Sequence, residues 1–499
     1  MLEGIIKRLP GIEDPKSYLS FKSRLKWTGI ILLIFLFLSQ ISIYGIAPLA
    51  LERFQFFEIV LGSRIGTLMT LGIGPIVTAS IILQLLVGSK IIPWDLKTQQ
   101  GRAKFQGTQK LLTVAFCFIE AFAFVAFGAI QPVEKTPVIM SIMILQLAFG
   151  GILVLFMDEV VSKWGIGSGV SLFIAAGVTK TIFVRALSPF APAGSDTPAG
   201  LIPMFIVLMQ SGEVNQAILA LLPLLATLVV FLVVVYVQAI KVEIPLAFAS
   251  LRGFSRRWPL NFIYTSNLPV ILVAALLANI QMIGAMMPGK SIPFIGTFDS
   301  NGQATGGILY YISLPHTAPI QVFSVILLLT IFVVGFLAYI FKYKHGTKAV
   351  ILSVFLGIIL AFFASSSFVG APTGDDILRA FGYLTFMTVG AIIFSIFWVA
   401  TSGMDAHSVA EQIEEMGMQI PGFRRDPRII EQVLDRYIPI LAILSGLFVG
   451  LLASIADFTG AVGTGTGILL TVMIIYNLYE QISMRYVEDM HPALRKFFE

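Results

Sequence analysis

RFQFFEIVLGSRIGTLMTLGIGPIVTASIILQLLVGSKII, residues 53–92, is an apolar run cut in two. The first piece, Arg53 to Gly66, holds enough Phe, Ile, Val and Leu to enter a membrane. It is too short to cross one, since a spanning helix needs about 20 apolar residues. The second piece, Leu71 to Ile92, is long enough, yet it opens on Gly72-Ile73-Gly74-Pro75 and carries Thr78, Ser80 and Gln84 within the span. Lipid offers backbone groups no hydrogen bonds, so a broken helix at membrane depth survives only where protein or water covers it. The stretch therefore predicts a half-helix followed by a broken span that lines a cavity, as in a pore or a transporter.

Hydrophobic residues make up 57% and charged residues 12% of the 499. These shares lie above and below those of a soluble domain, so the chain reads as an all-α polytopic membrane protein. Residues 1–26 are polar and basic and lack the apolar core and cleavage site of a secretory leader; no removable signal peptide is expected. The single cysteine, Cys117, cannot form an intrachain disulfide, and four scattered histidines come without HExxH or CxxC. No catalytic residue, metal or cofactor is therefore assigned.

Apolar runs place spans near 28–45, 71–92, 110–130, 138–157, 168–185, 217–240, 262–285, 321–341, 349–369, 380–401, 437–456 and 464–482, plus the half-helix. Loops facing the cytoplasm should hold the Lys and Arg. With the N-terminus inside, Arg53, Arg64, Lys135, Lys180, Arg185, Lys290 and Arg379 fall outside or near the outer ends, and the rest of the 33 basic residues face the cytoplasm. A net charge of +5 is then ordinary topology. Pro, Gly, Ala and Ser cluster at 185–200 (RALSPFAPAGSDTPAG), an external seam between two halves. The expected division is 1–190 (five spans and the half-helix), a hinge at 191–216, and 217–499. No internal repeat is visible in the residues themselves.

Six segments converge on one family: 72–88 (GIGPIVTASIILQLLVG), 158–177 (DEVVSKWGIGSGVSLFIAAG), 242–246 (VEIPL), 266–281 (SNLPVILVAALLANIQ), 421–425 (PGFRR) and 463–471 (GTGTGILLT). In this order and topology the chain closely resembles the SecY-type protein-translocase channel subunit, in its archaeal and eukaryotic-like form. The resemblance implies two pseudo-symmetric five-helix halves around a central pore. It places an aliphatic constriction on Ile73, Val77, Val170, Ile174, Ile271 and Leu470, and a plug at about 54–65, carried by Phe54, Phe57, Val60, Leu61, Gly62 and Ile65. A narrow aliphatic collar blocks water and ions by dewetting. Taken singly, such residues also suit lipid-facing or packed positions, and the half-helix also suits an interfacial amphipathic helix.

The family opens sideways at a seam where this sequence has Thr78, Glu120 and Asn279. Glu120 is informative by itself, because an ionisable group between Phe118 and Phe122 needs a partner or water. Interhelical hydrogen bonds in lipid contribute about 1 kcal/mol, which suits a releasable latch as well as a plain structural contact. Arg252, Arg256, Arg257, Arg424 and Arg425 sit in inside loops that dock the ribosome in the family. Arginine suits phosphate, although anionic lipid attracts the same loops.

The resemblance further implies a SecE-type (gamma) subunit, a small beta-type subunit, the ribosome with its nascent chain, signal peptides and membrane lipids as partners. It implies a multi-pass protein of the cell membrane with both termini cytoplasmic, acting as a passive conduit for unfolded polypeptide and not as an enzyme. GIGSG and GTGTG lack the strand context of a phosphate loop and read as close helix packing. Residues 321–369 depart from the family as an extra apolar hairpin, expected to pack peripherally. A secondary solute carrier is the alternative, since carriers also use broken helices. It would place converging carboxylates at mid-membrane, whereas Asp158, Glu159 and Asp457 lie at span ends. No GxGD or Gly-x-Ser-Gly supports an intramembrane protease.

Overall fold

A computed structural model describes residues 10–17, 19–46, 66–89, 91–94, 98–126, 130–191, 197–248, 255–265, 268–285, 291–292, 296–299, 304–315, 317–340, 346–415, 418–419 and 427–490. The first half holds α1 (Phe21–Leu38), α2 (Gly74–Gly88), α3 (Gln99–Ala126), α4 (Pro137–Trp164) and α5 (Gly169–Leu187). After α6 (Leu201–Gln210) come α7 (Val214–Gln238), the strands β1 (Lys241–Phe248) and β2 (Ser255–Asn261), and α8 (Leu268–Ala285). Three short strands, β3 (Ser291–Ile292), β4 (Gly296–Phe298) and β5 (Ala304–Gly306), precede α9 (Ile308–Ile312). The hairpin α10 (Ala318–Ile340) and α11 (Gly346–Phe368) leads to α12 (Gly374–Thr401), α13 (Ala406–Glu415), β6 (Met418–Gln419), α14 (Pro427–Phe458) and α15 (Gly465–Met490).

The same neighbour order recurs in the two halves. Helix α2 packs on α3, α3 on α4, α4 on α5 and α1 on α5; likewise α8 packs on α12, α12 on α14, α14 on α15 and α7 on α15. The halves meet where α2 touches α8 and α12 and where α5 touches α15. Small residues permit the tightest crossings. A Cβ on Gly450 of α14 would lie 2.7 Å from the Thr388 Cα of α12, the close backbone approach by which membrane helices gain packing energy.

Among the described residues, eight helices are long and apolar enough to cross a membrane: α3, α4, α5, α7, α10, α11, α12 and α14. The other four expected spans fall on α1, α2, α8 and α15. α1 begins with Lys22, Arg24 and Lys26, and α15 carries Glu480 and Arg485, which explains their polarity. α2 has 15 residues and starts only after a series of tight turns, with Gly72 N donating to Met69 O and Gly74 N to Leu71 O. The break read from Gly72-Ile73-Gly74-Pro75 is thus real backbone geometry.

Three features differ from the expectations. Segment 191–216, expected as an external hinge, contains α6, whose ten mostly apolar residues are too few to cross and instead pack on α7. The VEIPL segment is a strand: β1 pairs antiparallel with β2, Glu243 opposite Pro259 and Leu246 opposite Arg256. Residues 10–17 dock on the end of α4, where Ile12 N donates to Glu159 Oε2 at 3.0 Å and Trp164 Nε1 donates to Glu13 O at 2.9 Å. The hairpin α10–α11 leans on α7 and α14 through α10. Ile351 and Phe363 of α11 are 70% and 68% exposed, as side chains facing lipid would be.

Candidate functional site

The expected constriction residues lie on or at the start of four helices, α2, α5, α8 and α15. Ile73, Val77, Ile174, Ile271 and Leu470 are buried members of one apolar cluster, and Val170 packs against it. Val77, Val170 and Ile271 also face a cavity of about 420 Å³, whose mainly apolar lining includes the polar side chains of Ser80, Gln84, Asn477 and Gln481. Gln84 Nε2 donates to Ser80 Oγ at 2.9 Å, and its Oε1 is buried without a protein partner. The expected constriction residues are thus buried in, or packed on, the apolar cluster that borders this cavity.

Beside these residues, three polar residues from three helices form a chain. Asn279 Nδ2 of α8 donates to Thr78 Oγ1 of α2 at 3.1 Å, and Thr78 Oγ1 donates to Glu120 Oε1 of α3 at 3.0 Å. Glu120 is buried. Further along the seam, α2 meets α12 by shape: a Cβ on Gly88 would lie 2.7 Å from Phe397 Cδ1. One seam therefore holds a polar contact at one level and an apolar fit at another.

Plug residues Phe54, Phe57, Val60, Leu61, Gly62 and Ile65 lie outside the described residues, as do Arg252, Arg424 and Arg425. The Gly66 carbonyl accepts from Ile43 N at 3.1 Å, and Leu68 N donates to Ile41 O at 2.9 Å. The segment that follows 54–65 is thereby anchored to the end of α1. Gly66 and Gly72 have φ of +85° and +49°, a region glycine enters at little cost. Arg256 and Arg257 occupy β2, opposite Leu246 and Pro245.

Sequence reading missed two carboxylates that accept backbone N–H groups at the starts of α5 and α15. Asp457, buried at the end of α14, accepts Tyr383 Oη at 2.7 Å and Thr466 N at 2.7 Å, together with the Thr466 hydroxyl. Asp158 of α4 accepts Val170 N at 2.9 Å and faces the cavity. The signal in the sequence is an acid shortly before a Gly-rich segment, Asp158 (with Glu159 beside it) and Asp457.

The family model for SecY matches residues 67–479. The chain belongs to the SecY family. The protein translocase subunit SecY of Methanothermobacter thermautotrophicus is 43% identical over 500 residues, covering 99% of this chain and 98% of that one. A solved SecY structure, described as one whose plug domain stabilises the closed state of the translocation channel and maintains a membrane seal, matches with TM-score 0.77 and 40% identity over 99% of both chains. Sec61 in the canine ribosome-channel complex from the endoplasmic reticulum matches with TM-score 0.76 and 40% identity, again over 99% of both chains. SecY membership makes this a multi-pass membrane protein and leaves the solute-carrier alternative without support.

Proposed function

We propose that this chain is the pore-forming subunit of a protein-conducting channel. It passes unfolded secretory polypeptide across the membrane through the waist of Ile73, Val77, Val170, Ile174, Ile271 and Leu470. Transmembrane segments leave sideways between the α2/α3 and α8/α12 pairs. The observation that carries this reading is that Val77 of α2, Val170 of α5 and Ile271 of α8 border one cavity of mixed lining, while Ile73, Ile174 and Leu470 are buried in the apolar cluster beside it. Flexible aliphatic groups can close around a passing chain without a preferred hydrogen-bonding pattern, and they hold back ions when it has gone.

That arrangement and the likeness to the relatives support the remaining assignments. Residues 54–65 are the plug, swinging on the permissive backbone of Gly62, Gly66 and Gly72. Thr78, Glu120 and Asn279 are the latch of the side exit. The distribution of Lys and Arg supports a cytoplasmic position for both termini and the vestibule, and the membrane is the plasma membrane. Residues 1–190 and 217–499 are the two halves hinged at 191–216. Arg252, Arg256, Arg257, Arg424 and Arg425 offer charge to ribosomal phosphate. The chain is not an enzyme, so a partner supplies the energy, and the translating ribosome is that partner. A SecE-type clamp and a small beta-type subunit complete the complex.

The test is reconstitution with those two subunits and ribosome-bound secretory chains. Photoprobes at Ile73, Val77 and Leu470 are expected to cross-link to the nascent polypeptide. Saturable uptake of a small solute without polypeptide cross-links would overturn the assignment.

A further inference from the structure

Two waist helices, α5 and α15, begin in the same way. Each starts at a glycine, Gly169 or Gly465, pressed against the helix before it. A Cβ at Gly169 would lie 2.6 Å from Asp158 Cα, and one at Gly465 would lie 1.9 Å from the carbonyl carbon of Ala456. In each, the backbone N–H of the second helical residue is donated to an aspartate of the preceding helix: Val170 to Asp158 at 2.9 Å, Thr466 to Asp457 at 2.7 Å. First-turn N–H groups have no partner inside their own helix, and a carboxylate there also meets the positive end of the helix dipole.

The waist residue follows at a matched position. Ile174 lies four residues beyond Val170, and Leu470 four beyond Thr466. Residues four apart share a helix face, at a depth of about 6 Å along the axis. Fixing the capped N–H therefore fixes the depth and rotation at which the aliphatic group enters the waist. By span parity and the Lys and Arg distribution, the α4–α5 connection faces the cytoplasm and the α14–α15 connection the outside. Their acids sit at different offsets, eleven and eight residues before the glycine, which hides the likeness in the sequence.

We propose that Asp158 and Asp457 are matched positioning residues, setting the depth and rotation of Ile174 and Leu470 from opposite ends of the bundle. Tyr383 of α12 ties the second brace to the side exit. The proposal rests on the collar assignment above. The two braces differ in surroundings: Asp158 borders the vestibule, whereas Asp457 is buried with Tyr383 and Thr466. Because α12 flanks the seam, its outward movement pulls on Asp457 and hence on α15. Opening the side exit and loosening the waist thereby become linked motions.

The experiment uses the full reconstituted complex carrying Ile174→Cys and Leu470→Cys, treated with a short bifunctional thiol cross-linker. The rate of joining is compared in the backgrounds Asp457→Asn, Asp158→Asn and Tyr383→Phe, with the thermal midpoint of each complex recorded alongside. The pair is expected to join in the reference protein. Asp457→Asn should slow the joining roughly tenfold, since a buried donor loses its acceptor, with smaller slowing in the other two. An unchanged rate with a lowered thermal midpoint identifies the aspartates as merely structural and overturns the proposal, as does failure of the reference pair to join. Should Asp457→Asn not assemble, Tyr383→Phe decides. Nascent-chain cross-links at Ile73, Val77 and Leu470 alongside unchanged joining rates would keep the collar and discard the braces.

Discussion

The same pair of groups, a tyrosine hydroxyl on an aspartate, occurs twice in this molecule in opposite surroundings. Tyr310 Oη donates to Asp375 Oδ2 at 2.5 Å at the surface, next to Arg379, whose guanidinium lies 4.3 Å from the Tyr310 ring centre. Tyr383 Oη donates to Asp457 Oδ2 at 2.7 Å, with both residues buried. Water can replace the first contact but not the second. Between them stands Glu120, also buried, for which the described residues supply one hydrogen bond, from Thr78. Asp457 receives two more than that. Donor count and access to water separate a rivet from a latch and a latch from a surface contact, although the chemical groups are nearly the same.

Breaking the rivet is expected to have the largest effect. Tyr383→Phe keeps the ring but leaves a buried carboxylate short of a donor, and should lower the stability of the complex by about 1–3 kcal/mol, measured by thermal unfolding in detergent. A loss too small to measure would mean that water reaches Asp457. Breaking the latch comes next. Thr78→Val should weaken seam closure by about 1 kcal/mol, with little change in overall stability. The readout is the hydrophobicity a test segment needs before it partitions into lipid, and that threshold should fall. A threshold that stays put while stability drops would make the Thr78 contact structural only.

Smaller effects are expected outside both. Deleting residues 321–369 removes a hairpin that rests on α7 and α14, and translocation by the assembled complex should persist. Tyr310→Phe should leave stability within about 0.5 kcal/mol of the parent. The Asp375 carboxylate beside it holds the Tyr310 phenol above its ordinary value of 10.0. The contact therefore contributes fully below pH 10 and is lost as the pH rises through the raised value. An absorbance titration that finds Tyr310 ionising at its ordinary value would show the surface pair to be fully replaced by water.

Much of this architecture is local and therefore legible. Span length, the break at Gly72-Ile73-Gly74-Pro75 and the need of Glu120 for a partner all follow from residues near one another in sequence. The convergence of Ile73, Val77, Val170, Ile174, Ile271 and Leu470 was legible only through family resemblance, because an aliphatic residue in a membrane helix looks the same whether it faces lipid or a pore. The bond between Tyr383 and Asp457 joins residues 74 positions apart and leaves no periodic trace. The docking of residues 10–17 on α4 was equally hidden, since it uses backbone carbonyls and amides that any sequence would offer.

The fit of Phe397 against the bare backbone of Gly88 has a consequence for the order of events at the proposed side exit. A contact made of ring and methylene leaves no orphaned polar edge when it parts, so lipid can wet it without penalty. A departing helix would begin to slip out at that greasy corner and reach Thr78 last. One added methyl group, as in Gly88→Ala, would act as a doorstop there, holding the corner ajar while the polar contact stays shut.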